Sequence, residues 1–189
     1  ARLKDGPLGS RMEFRFLFDP LENSFENDAF DVIVLAHCTW YFADPSLLQR
    51  ILSHIRPWSQ KLCLSEWDLQ PQSIEQLGHL LAVLIQGQTE AYKAESTANV
   101  RSPYSRERLR CELKEAGWEV ASDRLIDTSS LADGRWEIAM CLEDTDHEAE
   151  QGMPVQLQSL RKSMTDILRR CDAKALPSYS ITAFRSQEI

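Results

Sequence analysis

The sequence predicts an α/β layered fold, a sheet flanked by helices. Three observations carry that prediction. Residues 30–36 read Phe-Asp-Val-Ile-Val-Leu-Ala, an apolar run without alternation that suits a strand covered on both faces. Leu47, Leu48, Ile51, Leu52 and Ile55 follow at helical spacing, and residues 61–66 return to strand composition. Strand, short helix, strand is the unit that joins neighbouring parallel strands by a right-handed crossover.

The remaining elements follow in order. Residues 12–18 (Met-Glu-Phe-Arg-Phe-Leu-Phe) are bulky and aromatic and predict a strand, ended by Asp19 and Pro20. Asp44, Pro45 and Ser46 open the first helix, and Pro57 closes it. A long helix is expected over residues 72–93, with Ile74, Leu77, Leu81, Leu84, Ile85 and Tyr92 on its apolar side. Another is expected over 105–116, with Leu109, Leu113 and Ala116 turned inward. Gly117 ends it, because a residue without Cβ tolerates the left-handed turn. Residues 118–126 predict a strand, Asp133-Gly134 a turn, and 136–142 a further strand. Residues 143–151 predict an acidic surface loop. Leu157, Leu160, Met164, Ile167, Leu168 and Cys171 predict a helix over 154–172, and residues 178–185 a final strand. The whole chain, 1–189, is expected to be one domain, with a core over 12–142 and an appended helix and strand over 153–185.

Composition narrows the function. A chain of 189 residues with 43% hydrophobic and 26% charged residues can bury one core. A formal charge of −8 argues against nucleic acid as a partner, which requires a basic surface. Arg101, Arg106, Arg108 and Arg110 form the one basic cluster, and a solvated helix face accounts for it. The five cysteines are odd in number, widely spaced and free of any C-x-x-C pair. They fit a reducing compartment, so a cytoplasmic location is expected, with the nucleus left open. No apolar run is long enough to span a membrane, no signal peptide is visible, and no His, Cys, Asp or Glu spacing suggests a metal.

In open α/β sheets ligands bind at the carboxyl ends of strands. That rule selects His37, Trp40 and Tyr41 after the strand at 30–36, and Glu66 and Trp67 at the end of the next. His37 is a candidate general base, Trp40 and Tyr41 a candidate aromatic wall for a flat substrate or a cation. The competing reading is a structural loop with buried aromatics and a hydrogen-bonded Glu66. His79, Gln86 and Glu90 recur at helical spacing on one side of the long helix, as pocket residues or as a polar face between helices.

The same stretches carry a resemblance. The Phe30-Asp31 strand runs into His37-Cys38-Thr39-Trp40-Tyr41-Phe42, and Glu66-Trp67-Asp68-Leu69 ends the next strand. The helix at 78–86, then Asn99-Val100-Arg101, Ala116-Gly117-Trp118 and the segment 133–137 follow in order. Together they resemble a fungal group of class I S-adenosylmethionine-dependent methyltransferase-like proteins. The resemblance covers about residues 3–142 and implies a partial Rossmann-like sheet, with the strand at 30–36 as the family's fourth. It implies that Asp19 and Pro20 sit where the cofactor adenine is contacted, and that His79 and Gln86 line the substrate pocket.

The departure from the family is as informative. The seven glycines (Gly6, Gly9, Gly78, Gly87, Gly117, Gly134 and Gly152) include no glycine-rich turn after a strand. The first strands of the family are therefore read as missing. S-adenosylmethionine is expected in an assembled form and not on the isolated chain. The implied activity is small-molecule methylation of the secondary-metabolite type, once the missing part is supplied by the parent chain or a partner. Two alternatives stand beside it: a non-methylating partner subunit that stabilises or activates another enzyme, and a cofactor-free cyclase. In the family the fourth strand lies beside the first. Its absence leaves 32–35 as an apolar edge, which either residues 12–18 or another chain must cover. A protein partner, as heterodimer or homodimer, is the expectation.

Overall fold

The computed structural model describes residues 4–143 and 152–186. Among them, β1 (Ile33–Ala36), α1 (Ser46–Ile55) and β2 (Lys61–Trp67) form the strand–helix–strand unit. β1 and β2 pair in parallel, Ile33 opposite Leu62 through Ala36 opposite Ser65. α2 (Leu77–Glu90), α3 (Arg106–Glu115), β3 (Trp118–Ile126), α4 (Asp133–Glu143), α5 (Val155–Leu168) and β4 (Ser178–Arg185) follow. The sheet order is β1-β2-β4-β3, with β4 antiparallel to both neighbours.

Local chemistry sets these elements. The Asp44 carboxylate accepts from the Ser46 amide and hydroxyl, each at 2.8 Å, just where α1 begins. The Ser105 hydroxyl accepts from the Arg108 amide at 3.2 Å and caps α3. Gly117 takes φ +79° directly after α3, and its carbonyl accepts from Arg56 Nε at 3.0 Å.

Burial then fixes the layers. Leu62 and Leu64 of β2 and Tyr179, Ile181 and Ala183 of β4 turn one sheet face onto α1 and α3. Leu48, Ile51, Leu52 and Ile55 answer from α1, Leu109 and Leu113 from α3. Each such side chain contributes roughly 1.5–3 kcal/mol relative to exposure. Trp118 closes this core, its indole N–H donating to the Leu52 carbonyl at 3.0 Å. A second cluster joins α2, α4 and α5 through Ala82, Ile85, Ile138, Cys141 and Leu168. A third, Trp40, Trp67, Val83, Val100, Ala175 and Leu176, lies beside the carboxyl end of β2.

Several expectations are corrected. Residues 12–18 form no strand: they pair with nothing, Leu17 takes φ +55°, and Phe16 and Leu17 stand in solvent. Aromatic composition suits a pleated surface, but a strand also needs a ladder partner. β1 is shorter than residues 30–36 and is an edge strand rather than an interior one, with Val34 61% exposed.

Residues 136–142 belong to helix α4, not to a strand. Gly134, Glu137, Ile138 and Cys141 form its buried face, a helical spacing hidden inside an apolar run. Asp133-Gly134 opens this helix instead of turning a hairpin, and a Cβ on Gly134 would meet the Ala173 carbonyl oxygen at 2.8 Å.

α2 is shorter than residues 72–93 and buries a different face. Gly78, His79, Ala82, Val83 and Ile85 point inward, while Ile74, Leu77, Leu84 and Tyr92 are exposed. Small residues win because the neighbours come close: a Cβ on Gly78 would collide with the Asp172 carbonyl oxygen. α5 stops at Leu168, and Leu160 and Ile167 of its expected apolar side are exposed. Residues 144–151 of the acidic loop, with His147, lie outside the described residues.

Candidate functional site

Because β1 and β2 are parallel, their carboxyl ends reach the same rim, and β4 begins there with Ser178 opposite Trp67. The first turns of α4 close the other side. Between them lies a cleft of about 260 Å³. His37, Trp40, Tyr41, Glu66 and Trp67 line it, so the sheet brings together five of the residues selected by sequence. Asn99, Val100, Leu131, Asp133, Trp136 and Glu137 complete the lining.

Glu66 ties this rim together. One carboxylate oxygen accepts from the Thr39 amide at 3.0 Å and the Thr39 hydroxyl at 2.8 Å; the other accepts from the Trp67 amide at 3.0 Å. Three donors satisfy a carboxylate that is 1% exposed, and they pin the loop after β1. The geometry thus gives Glu66 the structural part of its two readings. The same loop is fastened on its outer side, where the Arg101 and Ser102 amides donate to the Trp40 carbonyl at 2.8 and 3.1 Å.

His37 sits at φ +48°, a left-handed conformation unusual for a residue with a Cβ. Its amide donates to the Ser65 carbonyl at 2.8 Å, which continues the β1–β2 ladder into the loop. The Ser178 hydroxyl donates to the Glu66 carbonyl at 3.0 Å and lies 3.2 Å from His37 Nε2. With its own proton committed, Ser178 offers Nε2 an acceptor, and Nδ1 lies 3.5 Å from Glu66 Oε1. Nδ1 is sealed from solvent. The imidazole edge also meets Trp67 at 4.8 Å between centroids. To take a proton from a ligand in the cleft, His37 must release Ser178 and carry its ring proton on Nδ1, toward Glu66 Oε1, so that Nε2 presents its lone pair.

Cys38 follows His37 in this loop, and its thiol is held in the protonated form at neutral pH. Burial, and then the Glu66 charge, push its thiol up to about 11.

His79 lies behind the cleft rather than in it. It is fully buried, its ring is 5.4 Å from Trp67, and its Nδ1 accepts from the Leu176 amide at 2.9 Å. Burial pulls its pKa down to about 4, so the ring is neutral and serves packing. Gln86 acts through Glu137, donating to its carboxylate at 2.8 Å. Burial raises the Glu137 carboxyl above the usual range; the Gln86 hydrogen bond opposes that rise and the Asp133 charge adds to it. Gln86 and Glu90 line a separate hollow of about 910 Å³, where Glu90 holds Lys93 and Ser96.

Asp19 and Pro20 are not brought to the cleft. The Asp19 carboxylate accepts from the Leu21 amide at 2.8 Å and caps the turn Pro20–Glu22. With Asp19 engaged by its own backbone and no glycine-rich turn in the chain, these residues do not form a complete S-adenosylmethionine site. No group of three or more His, Cys, Asp or Glu among the described residues could hold a metal ion. No helix among them is long and apolar enough to cross a membrane.

Sequence reasoning missed the α4 contribution. Asp133, Trp136 and Glu137 are spaced i, i+3, i+4 and share one helix face, a signal concealed by reading the segment as turn and strand.

The fold is that of Rossmann-like methyltransferases. A cyclopropane-fatty-acyl-phospholipid synthase-like protein from Lactobacillus casei superposes with a TM-score of 0.82 at 24% identity, over 96% of this chain and 66% of that one. A SAM-dependent methyltransferase from Methanosarcina mazei superposes at 0.53 with 11% identity, over 90% and 66%. The chain thus spans just under two-thirds of the length of these two structures. No protein-family profile matches the chain, and no curated protein matches it by sequence.

Proposed function

We propose that this chain is the acceptor-binding portion of an S-adenosylmethionine-dependent methyltransferase for small molecules of the secondary-metabolite type. The cofactor-holding part comes from the rest of the parent chain or from a second polypeptide. One observation carries the reading: a cleft lined by aromatic and acidic side chains lies at the joint carboxyl ends of β1 and β2, in a methyltransferase fold whose solved examples are longer. In this reading Glu66 and Thr39 set the loop, Trp40, Tyr41 and Trp67 shape the acceptor pocket, and His37, its ring proton on Nδ1, takes the acceptor proton at Nε2 when it turns from Ser178. Methyl transfer asks the protein chiefly for alignment and exclusion of water, which a walled cleft provides.

A second reading is a non-methylating partner subunit. The open edge of β1, together with the absent glycine-rich turn, favours it. Isothermal titration of S-adenosylmethionine and S-adenosylhomocysteine into the purified chain, with its mass measured in parallel, tests both. The expected result is no saturable binding by the chain alone, and binding once a second polypeptide covers β1. Saturable binding by the chain alone overturns the division of labour. An assembled complex that binds the cofactor but methylates nothing favours the partner subunit.

A further inference from the structure

We propose that the cleft between β2 and α4 binds the cationic head of an organic amine, an ammonium centre carried on a small aliphatic or aromatic molecule. This rests on reading the cleft as the acceptor site, and it names the acceptor's chemical class.

Two independent features of the lining point there. The first is aromatic. Trp40, Trp67 and Trp136 line the cleft with Tyr41, so three of the five tryptophans in the chain converge on about 260 Å³. Their ring faces carry the negative side of the aromatic quadrupole and attract an onium cation, tryptophan most strongly. Trp136 is 47% exposed on α4, so its ring is open to a ligand in the cleft.

The second is charge. Glu66, Asp133 and Glu137 line the same cleft, and no Lys or Arg does. Glu66 is satisfied by Thr39 and Trp67. Asp133 and Glu137 are left, one helical turn apart on α4, and Glu137 is only 8% exposed with Gln86 on one oxygen. Two carboxylates in a partly desolvated wall repel one another, and a bound cation removes that cost. The raised Glu137 carboxyl agrees with an acid that lacks a cationic partner. An anionic or purely apolar acceptor would gain nothing from this wall.

Onium chemistry has two sources, an acceptor ammonium and the cofactor's sulfonium, and the experiment separates them. Tryptophan fluorescence of the purified chain is titrated with choline and with benzyltrimethylammonium. Each is compared with its neutral carbon isostere, dimethylbutanol and neopentylbenzene, at matched ionic strength. S-adenosylmethionine and S-adenosylhomocysteine form separate titrations. The expected result is saturable quenching by an ammonium ligand, about tenfold tighter than by its neutral isostere. Trp136→Leu should weaken ammonium binding several-fold with the thermal midpoint unchanged. Glu137→Gln and, at the more exposed position, Asp133→Asn should each narrow the gap between cation and isostere.

Equal binding of cation and isostere overturns the proposal, as does the absence of saturable ammonium binding. A response to S-adenosylmethionine alone assigns the wall to the cofactor and overturns it too. A negative cofactor titration of the isolated chain is what the proposed function expects; ammonium binding by the chain, followed by an assembled complex that binds the cofactor but methylates nothing, leaves this inference standing and strikes only at the methyltransferase reading.

Discussion

β1 and β2 lie side by side and run in the same direction, and β1 (Ile-Val-Leu-Ala) is the more apolar of the two, yet it is β2 that is buried. Leu62 and Leu64 of β2 have no exposed surface, whereas their partners Ile33 and Leu35 on the same face of β1 are only half-buried, and Val34 on the other face is open. The cause is position, not composition. β2 has β4 on its far side and β1 has no second neighbour among the described residues. An apolar strand buries itself only when something pairs with it or packs over it, and the β1 edge is ready-made for a second polypeptide.

Substitutions can break or sharpen that contrast. Leu64→Ala, inside the covered face, should cost roughly 2–5 kcal/mol, read as a lowered urea midpoint. Acid should act next, through His79 in the packed half. Its folded pKa of about 4 lies below the unfolded 6.5. The unfolded chain therefore binds the extra proton first, and stability present above pH 6.5 is lost as the pH falls toward 4. The loss approaches about 3 kcal/mol, and urea midpoints between neutral and acid pH should show it in the wild type but not in His79→Gln. Gly117→Ala forces a Cβ at φ +79°, 2.7 Å from Arg56 Nε, and should cost about 1–2 kcal/mol in thermal melts. Val34→Ala on the open edge should change stability by less than about 0.5 kcal/mol. Val34→Lys should be equally mild in the isolated chain, but should weaken any complex that covers β1, read as a drop in complex mass.

The same contrast explains what the sequence disclosed. α1, β2, α3, β3 and β4 follow from patterns complete within each segment: a capped amphipathic helix, an alternating strand, a glycine after a helix. Residues 12–18 and 136–142 misled because each was apolar enough for a strand, and only its neighbours decided otherwise. At the candidate site, the rule of strand carboxyl ends found His37, Trp40, Tyr41, Glu66 and Trp67, since it depends on topology. It missed Asp133, Trp136 and Glu137, which enter through helix packing. For His79, helical spacing left a pocket role and a place between helices both open, because periodicity shows which face a helix has and not what lies against it.

β4 has a consequence for how the chain comes into being. It is the latest described strand in sequence, yet it sits between β2 and β3. Ser178 meets Glu66 across 112 positions of chain. During synthesis β2 waits with one edge open, and β3 has no ladder in this sheet, until residues 178–185 leave the ribosome. Sheet closure is therefore a late, long-range event, and the nascent chain spends that interval with apolar strands unpaired. Any shortening that removes β4 takes away not a terminal ornament but the strand that makes two halves into one sheet.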